Sequence, residues 1–125
     1  MTISKPLGPF RLVTVNTAPE RAKRLIGRVV EDLKESYTII HAGNADSMQA
    51  VRGIIQKEKP ELLFTASMWT PEQAQSIIAE AKSIVPNIKT HSIPQGLQVE
   101  KGPDAVVEYL KDNIPLLLEH TRSKL

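Results

Sequence analysis

Three times in this chain an apolar, strand-like run ends in a short polar turn, and a proline then opens an amphipathic helix. The turns are Asn16-Thr17-Ala18-Pro19-Glu20, Ser67-Met68-Trp69-Thr70-Pro71-Glu72-Gln73 and Glu100-Lys101-Gly102-Pro103-Asp104. Proline suits the first helical turn because the N–H it lacks would find no intrahelical acceptor there. Thr17 with Glu20, and Thr70 with Gln73, have capping-box spacing, in which each side chain satisfies one free backbone donor. Strands alternating with helices predict parallel strands joined by right-handed crossovers, which gather the polar turns at one rim of a sheet.

Along the chain, residues 1–10 carry two prolines and a glycine and read as an irregular arm. Residues 11–15, 37–41, 61–66 and 88–93 read as strands, the first and third almost wholly apolar, as strands covered on both faces are. Between them, Ala22, Leu25, Ile26, Val29, Val30 and Leu33 recur at helical spacing, as do Met48, Val51, Ile54 and Ile55, and then Ala74, Ile77, Ile78, Ala81, Ile84 and Val85. Asn44 or Asp46 would cap the second helix. The segment 94–102 is long for a strand-to-helix connection, and Leu97-Gln98-Val99 within it suits a short extra strand or a flap. Ala105, Val106, Tyr109, Leu110 and Ile114 mark a fourth helix that Pro115 should kink or break, leaving 115–125 as a helical extension. One α/β domain over residues 1–125 is expected. Its architecture would be a three-layer α/β/α sandwich of the flavodoxin-like or Rossmann-like kind. The parallel sheet would hold four strands, five with the extra one, in the order 2-1-3-4 of flavodoxin-type folds.

Composition removes several functions. With 125 residues, 41% hydrophobic and 24% charged, the chain has the make-up of a soluble globular protein. Its apolar runs are too short to span a bilayer, and residues 1–9 offer no secretory signal. The absence of cysteine leaves no disulfide or thiolate metal site. A cytoplasmic protein without membrane contact is expected. Nucleic-acid binding is disfavoured: the net charge is +2, aromatics are 4%, and Arg21, Lys23, Arg24 and Arg28 are opposed by Glu20, Glu31, Asp32 and Glu35. G-x-G-x-x-G, G-x-x-x-x-G-K-[ST] and G-x-S-x-G are all absent, so no nucleotide cofactor or hydrolase elbow is indicated. No metal site and no cofactor are expected.

In open parallel sheets ligands bind beyond the carboxyl ends of the strands, where the winding reverses. With order 2-1-3-4 that point lies between the first and third strands. Asn16, Thr17, Thr65, Ser67 and Trp69 would converge there, and Ser92 would join them from the fourth. The prolines and caps use up the donors that would hold phosphate, so neutral side chains are the candidate ligand contacts. Trp69 has a second reading, as a staple onto Ala74. His41 and His91 are candidate acid–base residues near strand ends, but about 14 Å would separate their strands, too far to share a metal. His120 falls in the tail.

Ala50 to Ser67, with its Ile54-Ile55…Glu58-Lys59-Pro60-Glu61-Leu62-Leu63-Phe64 rhythm, resembles the middle of a receiver domain from bacterial two-component signalling. Lys101-Gly102-Pro103-Asp104 is similar to the lysine-containing turn near that family's end. The resemblance implies a doubly wound sheet, here with one strand–helix unit fewer. Receivers carry acidic residues after the first strand and a phosphorylated aspartate at the end of the third. Asn16-Thr17 and Thr65-Ala66-Ser67 stand there in this chain, which implies no phosphorelay. Three functions remain open on the sequence. The first is a binding module with a small-molecule or peptide site at the carboxyl rim. The second is a non-catalytic interaction domain or homodimer, with Leu116, Leu117 and Leu118 either as a candidate surface or, the favoured reading, as cover for the domain's own core. The third is a small enzyme using His91 or His41 as general acid–base.

Overall fold

A computed structural model describes residues 6–122, with side chains to Leu118. Strands β1 (Leu7–Val15), β2 (Tyr37–Ala45), β3 (Leu62–Thr65) and β4 (Lys89–Ser92) alternate with helices α1 (Pro19–Leu33), α2 (Val51–Glu58), α3 (Pro71–Ile84) and α4 (Leu97–Arg122). All strand pairs are parallel, in the expected order β2-β1-β3-β4. The chain winds from β1 to β2, then crosses back over β1 to reach β3. Right-handed crossovers on either side of that reversal put helices on both faces of the sheet.

Side-chain alternation divides the core accordingly. Leu12, Leu62 and Phe64 point to one face, where Leu25, Ile26 and Val29 of α1 and Val106, Val107, Leu110 and Ile114 of α4 cover them. Val13, Val15 and Leu63 point to the other, against Val51 and Ile55 of α2 and Ile77 and Ala81 of α3. Burial on both faces explains why β1 and β3 read as nearly unbroken apolar runs.

Four local expectations are corrected. The arm is shorter than read, because residues 7–10 belong to β1, with Leu7 opposite Tyr37 and Phe10 opposite Ile39. Gly8, at φ +115°, and Pro9 fall within a register shift, where a strand tolerates both; residues 1–5 of the arm lie outside the described residues. Secondly, β2 runs on to Ala45 through a bulge between its pairings at His41 and Gly43, so Asn44 pairs with Thr14 and caps nothing. Asp46 does not cap α2 either: its N-cap is Ala50, with no side-chain bond. Thirdly, Leu97-Gln98-Val99 is neither strand nor flap but the first turn of α4. Finally, α4 is interrupted at Gly102 (φ 83°, ψ 177°), not at Pro115. Pro103 restarts the helix after the break, the helix runs on through Pro115, and Leu118 is buried in the α1–α4 core. The side chain of His120 and residues 123–125 lie outside the described residues.

Candidate functional site

The carboxyl rim is built from the ends of β1 and β3 and the turns that follow them. Asn16 is 5% exposed, and its N–H, its Oδ1 and its carbonyl all have partners. Its N–H donates to the Ala45 carbonyl (2.9 Å) and its Oδ1 accepts the Ala18 N–H (2.7 Å), turning the chain into α1. Its carbonyl accepts from Asn44 Nδ2 (2.9 Å). Thr17 does not cap α1: the N-cap is Ala18, without a side-chain bond, and the Thr17 hydroxyl meets the Met68 sulfur at 3.0 Å. The Thr70–Gln73 capping box does form, through Gln73 N–H to Thr70 Oγ1 (3.1 Å) and Thr70 N–H to Gln73 Oε1 (3.0 Å). The difference lies in Asn16, whose Asx turn has already set the entry to α1.

On the β3 side, the Ser67 carbonyl accepts the Gly96 N–H (2.9 Å), and its hydroxyl accepts the Gln98 N–H (3.3 Å), tying the rim to the first turn of α4. Trp69 donates its indole N–H to the Val15 carbonyl (2.8 Å), so its polar edge is spent inside the fold. Thr65 is fully buried with its hydroxyl unpaired. Where the ends of β1 and β3 meet α1 and α4 lie two cavities of about 20 Å³ each, one lined by Thr14, Asn16 and Phe64, the other by Asn16, Ser67 and Gln98. Each has room for roughly one water. Asn16 and Ser67 share one of these water-sized cavities at the switch point, and Thr65 lines neither.

Two polar groupings were not legible in the sequence. Thr14, pointing to the α1 face, donates its one hydroxyl proton to Asn44 Oδ1 (2.7 Å), so it must accept from His41 Nε2 (2.8 Å). His41, Thr14, Asn44 and Asn16 therefore form one directed chain from the β2 edge to the start of α1. Burial pushes His41 below the ordinary histidine pKa, while a hydrogen bond with the Gly43 backbone opposes this. The second grouping joins His91 of β4 to the Tyr109 hydroxyl of α4 (2.7 Å), with the Phe64 ring edge-on to the imidazole at 6.3 Å. Burial lowers the His91 pKa and raises that of Tyr109. A polar residue inside an apolar central strand was the available signal for Thr14; nothing in the sequence pointed to Tyr109. The histidines sit on opposite outer strands, and among the described residues no three His, Asp or Glu side chains cluster to hold a metal ion.

Open space lies instead at the two flanks. A groove of about 520 Å³ runs between α1 and the β2 edge, lined by Lys23, Gly27, Val30 and His41. A second, of about 220 Å³, lies between α3 and the end of β4, lined by Trp69, Ala74, Gln75, Ile78, Ser92 and Pro94. Of the six rim candidates, Trp69 and Ser92 alone line this second groove.

This sheet order with helices on both faces is the flavodoxin-like fold of receiver domains. The isolated receiver domain of RcsB from Salmonella enterica serovar Typhimurium, solved with the phosphomimetic BeF3−, matches with a TM-score of 0.54 at 12% identity, over 82% of this chain and 72% of that one. The signal receiver domain of NarL from Mycobacterium tuberculosis aligns with a TM-score of 0.47 at 10% identity, over 85% of this chain and 96% of that one. No protein-family profile and no curated protein matches the sequence. No helix among the described residues is long and apolar enough to cross a membrane.

Proposed function

We propose that this chain is a receiver-fold interaction module that works without phosphorelay and binds an extended protein segment along the free edge of β4. The observation that carries this reading is the open groove beside an edge strand whose outward main-chain groups have no partner among the described residues. A segment added to β4 would gain main-chain hydrogen bonds and lay alternate side chains against Trp69, Ile78 and Pro94. The opposite edge, β2, is less suited, since two register shifts disrupt its ladder. A small-molecule site at the switch point finds little support, because its cavities are water-sized and Asn16 and Ser67 are engaged.

Phosphoryl transfer to aspartate needs an acceptor carboxylate and further carboxylates for a divalent cation, and Asn16, Thr17, Thr65, Ala66 and Ser67 supply none. Peptides selected from a random linear library on the purified chain should shift the backbone amide resonances of residues 90–93 and 95. Selected peptides that shift only the α1–β2 groove would overturn the location. Beryllofluoride with magnesium should leave the spectrum unchanged; saturable shifts around Thr65 would overturn the absence of phosphorelay.

A further inference from the structure

The main-chain groups of β4 separate by strand alternation. Lys89 N–H donates to the Glu61 carbonyl (2.9 Å) and Ile93 N–H to the Thr65 carbonyl (2.9 Å), so residues 89, 91 and 93 face β3. Alternation then turns both the N–H and the C=O of Thr90 and Ser92 to the outer side of the sheet. None of the hydrogen bonds of the described residues uses these four groups. Two residues spaced by one, each offering a donor and an acceptor, make a self-complementary half of an antiparallel ladder.

We infer that this chain pairs with a second copy of itself, β4 against β4, antiparallel about a two-fold axis at His91. The inference rests on the reading of β4 as the docking edge and names the partner. In this register Thr90 of each copy exchanges two hydrogen bonds with Ser92 of the other, so all the outward groups are paired. Moving the axis to residue 90 would bring in Ile88, whose N–H is already given to the Val85 carbonyl (3.0 Å). Moving it to residue 92 would bring in Pro94, which has no N–H. The axis at His91 is therefore the register that wastes no group.

Side chains agree with this arrangement. Thr90 and Ser92 share the α3 face of β4, so their hydroxyls would lie opposite one another across the junction, a favourable cross-strand pair. Lys89 would lie opposite Ile93 of the second copy, so no like charges are opposed. A four-residue ladder is small beside the roughly 1,200 Å² or more of a stable interface, and the flanking helices can extend it. On the α3 side lies the groove with Ile78 and Trp69. On the α4 side Tyr109 stands beside His91, and Leu116, one heptad further on the same stripe, is 70% exposed.

The chain contains no cysteine, which allows a direct test. At the axis the two His91 residues form a non-hydrogen-bonded antiparallel pair, with Cα atoms about 4.5 Å apart and within disulfide reach. His91→Cys should form a covalent dimer under mild oxidation, while Thr38→Cys, exposed on the β2 edge, should not; equal cross-linking of the two would overturn the proposal. Sedimentation of the unmodified chain should show a reversible dimer, lost in Ser92→Pro, which removes an outward N–H, and kept in Ser92→Ala. A dimer that survives in a folded Ser92→Pro variant would overturn it as well. A strict monomer up to about 1 mM, an association free energy weaker than about −4 kcal/mol, rejects self-pairing. If selected peptides still shift residues 90–93 and 95 in that monomer, the docking edge stands and only the identity of the partner fails.

Discussion

His41 and His91 show how the same residue type is fitted into opposite ends of one sheet. Each ring is half-buried and hydrogen-bonded to a hydroxyl, Thr14 for one and Tyr109 for the other. Burial lowers both pKa values from 6.5. The unfolded chain therefore binds protons in a range where the folded chain resists them, and stability rises with pH there. Stability should be full above the unfolded value of 6.5, fall as pH drops through the window down to the lowered folded values, and level off beneath them. Urea unfolding at a series of pH values from 8 to 5 checks this, and stability that rises on acidification from 7 to 6 would contradict it. His41 and His91 stood out in the sequence as candidate catalysts, and the structure gives each a hydroxyl partner.

At the scale of elements, the proline-opened turns fix where α1 and α3 begin, yet the two starts are made differently. Thr70 caps α3 reciprocally with Gln73, whereas α1 starts from the Asn16 Asx turn, with Thr17 turned to Met68. Thr70→Ala should cost about 1 kcal/mol, the usual value of a lost N-cap. Thr17→Ala should stay within about 0.5 kcal/mol, as a surface change does. Paired chemical denaturation of the two variants measures the difference, and equal losses would mean that Thr17 does cap α1. Capping spacing was legible in both turns, but which side chain takes the job depends on how the incoming strand is held. The same holds for α4. Pro115 reads as a breaker, but the chain breaks at Gly102, whose backbone conformation is essentially reserved for glycine.

For the whole molecule, two cores meet across one sheet, and Phe64 is the largest fully buried side chain, packed in the α1–α4 core with its ring edge toward His91. Phe64→Ala should cost about 3–5 kcal/mol, a large part of the roughly 5–15 kcal/mol that holds a domain together. A thermal melt of the variant should show this as a markedly lowered midpoint; an unchanged midpoint would mean that the two cores do not depend on β3. The alternation of strands and helices and the buried stripes were legible because each is written in local periodicity, whereas the order of the sheet was taken by analogy with flavodoxin-type folds and agrees with β2-β1-β3-β4. The rim candidates were legible as a set, since the carboxyl ends of β1 and β3 follow from that order. Which of them is left open was not. Asn16 and Ser67 have partners 28 and 31 residues away, Asn44 and Gln98, and β4 lies at the edge because none of the described residues pairs beyond it. By itself the sequence determined the alternation of strands and helices and the polar turns that open α1 and α3, because strand, turn and helix propensities are local. Only the tertiary structure decided which rim groups are spent and which edge stays open, because hydrogen bonds between distant segments make that choice.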